Sequence, residues 1–482
     1  MKTNELDTLI PGACIHGPVR DFNTLKTDSR SIQPGDAFIA VKGTTTDGHR
    51  FIDDAIEAGA TVIICNRGEY LGREKATLVE IPDTQKALVM LLPAIYPAAL
   101  KISLIGITGT SGKTTVSYLL ESILQKSGSI PGVIGTINTR FKTETLPSAI
   151  TTPGPAELFE RLHAMKQRGA EYCIMEVSSH ALDQDRTVGL RFDNAVFTNL
   201  SQDHLDYHQD MGSYFAAKKK LFCKHLAGKA IINTDDEYGQ KLIPLLESPF
   251  TYGKDPTAMI RLISLENGPQ GLRLELATPM GNLTIRSTLL GQANAYNIMA
   301  SVATAVAIQI DSTSITEGIA ALTKVPGRME KLANPYNMNI IVDYAHKPDA
   351  LEKALLSLRS IIPGKIITVF GCGGDRDKLK RPIMGRIATK LSDIAIITSD
   401  NPRTEDPQTI IDDITAGINN SACFKTEPDR AKAIMLGIRN MDKDDCLFIA
   451  GKGHEQYQIV GDRRYPFDDK ACALNSLKEV FE

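Results

Sequence analysis

The chain has 482 residues, 42% of them hydrophobic and 23% charged, which suits about three soluble domains and excludes a disordered or fibrous chain. A net charge of −3 supplies no basic field for nucleic acid or an anionic membrane surface. The opening MKTNELDTLIPG lacks an apolar leader run, no uncharged stretch is long enough to span a bilayer, and the cysteines form no C-x-x-C pair, so a reduced, cytoplasmic protein is expected.

The predicted elements begin with GDAFIAV and TVIICN as strands and GHRFIDDAIEAGA as an amphipathic helix, a small α/β unit. Residues 87–100 predict a buried helix, and IYPAALK a linker. ISLIGIT at 102–108 has the character of a buried strand, followed by a glycine-rich turn and a helix, TTVSYLLESILQKSG, that Gly128 ends. YCIMEVS, NAVFTNL and AIINTDD predict further strands, and residues 262–290 alternate as antiparallel hairpins do. A boundary is expected around TKVPGRMEKLANPYN.

Beyond it one design recurs. NIIVDYAH, KIITVFGCGGDRD, IAIITSDNPR and CLFIAGKGHEQ are apolar strands that each run into a polar cluster, alternating with helices such as PDALEKALLSLRSI. In a doubly wound parallel sheet such clusters share one edge, where ligands bind. The fold class expected is α/β in three domains: 1–98, 99–325 and 326–482. The first is small, the second a P-loop domain with a mostly parallel sheet, the third Rossmann-like and doubly wound.

GITGTSGKTT at 106–115 lies between a strand and a helix, as a phosphate-binding loop must. The N–H groups of Gly109, Thr110, Ser111 and Gly112 and of the following helix start can surround phosphate oxygens. Lys113 supplies a point charge, Thr114 a hydroxyl for Mg²⁺, and Thr115 continues the site. Ile107 stands where G-x-x-x-x-G-K has its first glycine. Use of ATP or GTP follows; the reaction does not, because kinases, motors and ligases share this loop.

Glu176 in MEVSSH, His204 in SQDHLDYH and Lys218 in YFAAKKKLF are candidates for the chemistry beside the phosphates. Singly, such residues are more often structural. Successive helical residues turn by about 100°, so Lys218, Lys219 and Lys220 cannot share a direction. Lys218 is four residues from both Tyr214 and Phe222, the stripe expected to face inward. Asn294 and Asn297 in GQANAYN open an apolar helix, and Arg328 in VPGRME sits at the expected boundary, where an arginine can complete phosphoryl chemistry on closure.

Taken together, GTSGKTT, MEVSSHALDQDR, TNLSQDHLDYH, GQANAYN, PGRME, VDYAHKPDAL, GCGGDRD, SDNPR and GKGHE occur in an order that resembles the Mur ligases of peptidoglycan assembly. The resemblance extends from about residue 28 to 455, and is nearest to the branch that adds meso-diaminopimelate to a UDP-N-acetylmuramoyl-dipeptide. It implies Lys113, Glu176, His204 and Lys218 as catalytic, with Thr114, Glu176, His204 and Lys218 holding Mg²⁺. It further implies that Lys218 carries a CO₂-derived carbamate, which turns an ammonium into a carboxylate-like ligand. The loop, Asn294, Asn297, Arg328, Asp343 and His346 would take ATP. Thr27, Ser29, Thr44, Thr45 and Thr46 match uridine contacts; Thr151, Thr152, Ser178, Gln184, Arg186 and Lys218 match contacts to the muramoyl-dipeptide. Ile150 stands where some relatives have asparagine. The amino-acid site would comprise Arg376, Asp400, Asn401, Pro402, Arg403, Gly451 and Glu455.

The implied reaction transfers the γ-phosphoryl of ATP to the D-glutamate carboxylate and lets an amine displace phosphate. The partners expected are these small molecules, with neither nucleic acid nor membrane. On this reading Arg403, on a loop stiffened by Pro402, grips the distal carboxylate of meso-diaminopimelate in bidentate fashion. The alternatives are the same ligase using L-lysine, a folylpolyglutamate-type synthetase, and a P-loop switch that hydrolyses ATP without an amine.

Overall fold

A computed structural model describes residues 1–43, 46–68, 75–419 and 422–482. The chain forms two compact units, one of residues 1–113, 127–200 and 204–250, the other of residues 114–126, 201–203 and 251–482.

The first unit holds two sheets. In the N-terminal one the strands run in the order Cys14–His16, Thr77–Ile81, Val62–Asn66, Ala37–Ile39 and Leu25–Lys26, parallel apart from the first pair. The other contains Leu226–Asn233, Phe192–Phe197, Ser103–Thr108, Tyr172–Glu176 and Pro131–Ile134, all parallel, and ends in the antiparallel strands Asn138–Phe141 and Glu144–Pro147. The five parallel strands are rich in Ile, Val and Phe because helices cover such a sheet on both faces.

The segment expected to be a linker is structured. Pro97–Lys101 form a 3-10 helix, Ala99 is buried, and the neighbouring Tyr96 hydroxyl accepts from the Leu25 N–H at 3.0 Å. A 3-10 helix of five residues is too short to show a periodicity in the sequence.

In the second unit, Ile260–Gly268, Gly271–Thr278 and Gly281–Ser287 form an antiparallel meander, as the alternation predicts. The C-terminal sheet runs Glu330–Lys331, Asn339–Asp343, Cys446–Ala450, Ile366–Phe370, Ile394–Ile397 and Phe424–Thr426, parallel after its first pair. Its strands are buried on both faces: Cys446, Phe448 and Ala450 join one apolar cluster, Leu447 and Ile449 the other. The first cluster includes side chains of the helices Pro348–Arg359, Lys380–Leu391 and Pro407–Thr415, the second those of Arg430–Arg439 and Asp469–Phe481. This is the doubly wound arrangement, and it sends the chain after Asp343, Ala450, Phe370 and Ile397 to one edge. A separate hairpin, Tyr457–Val460 with Arg463–Pro466, lies beside that edge. Among the described residues no helix is long and apolar enough to cross a membrane.

Candidate functional site

In the first unit the site is built on the strand Ser103–Thr108 and the loop after it. Gly109 and Gly112 have φ of +148° and +89°, the region glycine enters without strain. A Cβ on Gly109 would lie 1.9 Å from Thr198 Oγ1, so no other residue fits. The loop is held by Thr198 Oγ1, which donates to the Ser111 carbonyl at 2.7 Å, and by Asn199, whose backbone carbonyl accepts from Thr110 N–H at 2.9 Å. Asn199 Oδ1 also accepts from Ser111 N–H at 3.1 Å. Two ammonium groups converge on the Gly109 carbonyl, Lys113 at 2.7 Å and Lys218 at 2.8 Å.

Of the three successive lysines, Lys218 is the buried one, with only 1% of its surface exposed; Lys219 and Lys220 are half-buried. Its helix, Met211–Lys220, turns Tyr214 to the same side, and the Lys218 ammonium lies 4.7 Å from that ring. Glu176 ends its strand almost wholly buried. Its carboxylate accepts from Thr136 N–H at 3.0 Å and Thr136 hydroxyl at 2.8 Å. Close approach explains Gly135, since a Cβ there would meet Glu176 Oε1 at 2.4 Å. His204 adopts φ +53°, and its ring meets His180 edge-on at 4.8 Å. His208 lies in the same aromatic cluster, bonded to Ser179 Oγ at 2.9 Å. Burial, and then the charge of His180, pushes its pKa down.

A hydrogen-bonded chain joins the residues matched to the muramoyl-dipeptide. Thr151 and Thr136 hydroxyls are 3.1 Å apart, Thr152 Oγ1 donates to the Glu176 carbonyl at 2.8 Å, and Ser178 N–H donates back to Thr152 Oγ1 at 3.1 Å. Arg186 donates to the Thr152 carbonyl at 3.0 Å and to Gln184 Oε1 at 2.6 Å. Thr27 follows the strand Leu25–Lys26, Ser29 opens the 3-10 helix Ser29–Ser31, and Thr46 is exposed; no hydrogen bond joins these three. Thr44 and Thr45 lie outside the described residues.

In the second unit Asn297 Nδ2 donates to Asn294 Oδ1 at 2.9 Å, and Asn294 Nδ2 to the Leu290 carbonyl at 2.8 Å. Asp343 ends a strand and accepts from Met329 N–H at 2.6 Å; burial raises its pKa against the opposing charge of Arg328. Arg328 stacks over Tyr344 at 4.8 Å. His346 Nδ1 lies 2.8 Å from the Tyr344 carbonyl, which accepts its proton, and burial together with Lys347 and Lys380 pushes it down to about 3. It is therefore neutral at pH 7.

At the edge of the C-terminal sheet the predicted amino-acid residues meet. Asn401 Nδ2 donates to Glu455 Oε2 at 2.9 Å, and a Cβ on Gly451 would meet Asp400 Oδ2 at 2.5 Å. Pro402 is buried, and Arg403 Nη1 donates to the Gly374 carbonyl at 2.7 Å. Arg376, exposed, stands beside Arg403 over Gly373, whose added Cβ would meet both side chains. The loop explains its own rigidity. Arg403 has φ +53°, rare for a side-chain-bearing residue, and the hairpin fixes it from both sides: Arg403 N–H donates to the Ile459 carbonyl at 3.0 Å, and Gly461 N–H to the Arg403 carbonyl at 2.7 Å.

Other supporting residues escape sequence reasoning. Asn199 and Thr136 carry no periodic signal, and their partners are 88 and 40 residues away. Arg430 and Asp469 are fully buried and paired at 2.7 Å; Arg430 also donates to the Ala450 carbonyl at 3.1 Å, holding a strand end beside the site. Glu405 binds the buried Arg381 through both oxygens at 2.9 Å, and that pairing holds its carboxyl down at about 2. Lys452, inside GKGHE, offered a signal: it is a lysine in a strand-end cluster, and it too is fully buried.

Residues 21–96 match the family described as Mur ligase family, catalytic domain, residues 107–305 the Mur ligase middle domain, and residues 327–453 the Mur ligase, glutamate ligase domain. The chain is 43% identical over 465 residues to the UDP-N-acetylmuramoyl-L-alanyl-D-glutamate–2,6-diaminopimelate ligase of Gloeobacter violaceus, covering 96% of this chain and 95% of that one. It is 42% identical over 472 residues to the ligase of the same name from Oceanobacillus iheyensis, with 96% of each chain covered. A solved structure titled as that ligase matches with a TM-score of 0.69 and 31% identity over 96% of both chains.

Proposed function

The chain belongs to the Mur ligase family, and from that premise we propose that it joins meso-diaminopimelate to the D-glutamate of UDP-N-acetylmuramoyl-L-alanyl-D-glutamate, at the expense of ATP. A carboxylate is a poor electrophile, so the γ-phosphoryl group first makes an acyl phosphate of it; the amine then attacks and phosphate leaves. The loop N–H groups of residues 109–112 and Lys113 bind and neutralise the phosphates. Thr152, Ser178 and Arg186, already interlocked, would orient the dipeptide acid.

Glu176, held by Thr136, supplies a hard oxygen donor of the kind Mg²⁺ takes alongside nucleotide phosphates. When bound, Mg²⁺ offsets charge on the transferring phosphoryl group. His204 is a softer donor, placed by its left-handed backbone beside His180. For Lys218 the supporting observation is crowding: its ammonium shares one carbonyl with that of Lys113. A carbamate there would replace like charge by opposite charge.

One observation carries the choice of amine donor: Arg403 is fixed by the hairpin beside Asn401 and Glu455. Arg403 and Arg376 would take the distal carboxylate, Asp400 and Glu455 the distal ammonium. L-Lysine lacks that carboxylate and would leave guanidinium charge unpaired. Initial rates of ADP release with the dipeptide nucleotide should be negligible without amine, high with meso-diaminopimelate and low with L-lysine. Arg403→Ala should lower kcat/KM for meso-diaminopimelate by about 10³-fold and for L-lysine far less. Equal losses would remove the selectivity argument, and ADP release without amine would favour a switch.

A further inference from the structure

We propose that Lys452 is a positioning residue that decides which amine donor the strand-edge site accepts, by neutralising Glu455 and fixing the Asn401 amide. The inference rests on the ligase reading above and extends it to a residue with no role in that reading.

Lys452 is 0% exposed, and its ammonium donates to Asn401 Oδ1 at 3.1 Å and Glu455 Oε2 at 3.2 Å. Ile459 N–H reaches the same Asn401 oxygen at 3.0 Å. With Oδ1 taking two donors, the amide can only turn its NH₂ to Glu455, where it donates at 2.9 Å. One Glu455 oxygen thus receives both an ammonium and an amide. Its other oxygen takes no hydrogen bond among the described residues, and neither does the Asp400 carboxylate, which is 7% exposed. These are the acceptors left for a guest ammonium.

The charge count gives the consequence. Of the residues proposed above to hold the distal centre, Asp400 and Glu455 are carboxylates and Arg376 and Arg403 cations, and Lys452 adds a third cation against Glu455. The nearby Arg430 and Arg381 are paired off with Asp469 and Glu405. A distal centre bearing both carboxylate and ammonium leaves that balance unchanged. A lone ammonium, as in L-lysine, adds another positive charge with nothing for the guanidinium groups to bind. Removing Lys452 lets a lone ammonium meet the balance the intact site keeps for the zwitterion. Lys452 therefore excludes the simpler diamine by occupying the charge that would attract it.

The test uses the full chain with ATP and the dipeptide nucleotide, measuring kcat and KM for meso-diaminopimelate and for L-lysine. Lys452→Met should raise KM for meso-diaminopimelate about 10–100-fold, leave KM for ATP and for the nucleotide substrate within about twofold, and narrow the preference over L-lysine at least about tenfold. Lys452→Gln, which keeps a donor for Asn401 but no charge, should narrow the preference too and serves if the methionine variant fails to fold. In the cycle with Glu455→Gln, the Lys452→Met/Glu455→Gln variant should lose less than the product of the single losses. Equal losses for both amines, or single losses that simply multiply, overturn the proposal while the ligase reading stands. A wild-type chain that joins neither amine overturns both.

Discussion

At the scale of single residues the site is determined by how closely groups approach one another. Gly135 is the sharpest case, because a methyl group there would lie 2.4 Å from a carboxylate oxygen of Glu176. Gly135→Ala should therefore push Glu176 off the Thr136 N–H at the cost of about 1–3 kcal/mol. Activity should fall about 100-fold and the Mg²⁺ concentration for half-maximal rate should rise; an unchanged Mg²⁺ titration would show that Glu176 does not serve the metal. The sequence made part of this site legible. Lys218 could be singled out from its neighbours because helical spacing from Tyr214 and Phe222 is a property of the chain itself. Thr136, Asn199 and Lys452 could not be assigned roles, because those roles lie in contacts with residues that only the fold brings near. Arg403 stands between these cases: its turn was readable from Pro402, but its left-handed backbone depends on a hairpin 56 residues further on, at Ile459.

At the scale of elements, charged pairs pin the strand ends that carry the site. Arg430, on the helix Arg430–Arg439, meets Asp469 at the start of the last helix with both side chains at 0% exposure, and it donates to the carbonyl groups of Ala450 and Ser399. A lone buried ion costs far more than the pair gains. Arg430→Met should destabilise the chain by about 3–5 kcal/mol in urea unfolding, whereas Arg430→Met with Asp469→Leu should recover most of that loss. The double variant should still bind amine donor less well, since the carbonyl groups of residues 399 and 450 lose their common donor. If the double variant is as unstable as the single one, burial of an unpaired carboxylate is not the cause. Elements themselves were mostly legible: strand-to-cluster patterning located the edge, and alternation located the meander. The 3-10 helix Pro97–Lys101 was not, because its order comes from packing of Tyr96 and Ala99 rather than from any pattern within it.

At the scale of the whole molecule, the parallel sheets explain both what was legible and how the protein should respond to acid. Four apolar strands running into polar clusters imply one functional edge only if all run the same way, and they do. That edge buries ionisable groups, so its stability depends on pH. His454 is held down at about 4 by burial and by Arg328, and His346 at about 3. Both are neutral when folded, whereas the unfolded chain takes up their protons near pH 6.5. Below that pH the unfolded state therefore binds more protons, and stability is lost as pH falls from about 6.5 toward 4. Glu405 acts in a lower window. Its folded pKa of about 2 lies below the usual 4.5, so its stabilising contribution is complete above 4.5 and disappears between 4.5 and 2. The thermal midpoint should accordingly begin to fall near pH 6.5, before carboxylates titrate, and fall more steeply below 4.5. His454→Gln should flatten the first of these slopes and leave the second intact, as read by calorimetry across the two windows. A midpoint that holds constant down to pH 4.5 in the unmodified chain would mean that these imidazoles gain protons in the folded state, and hence that the edge is open to water.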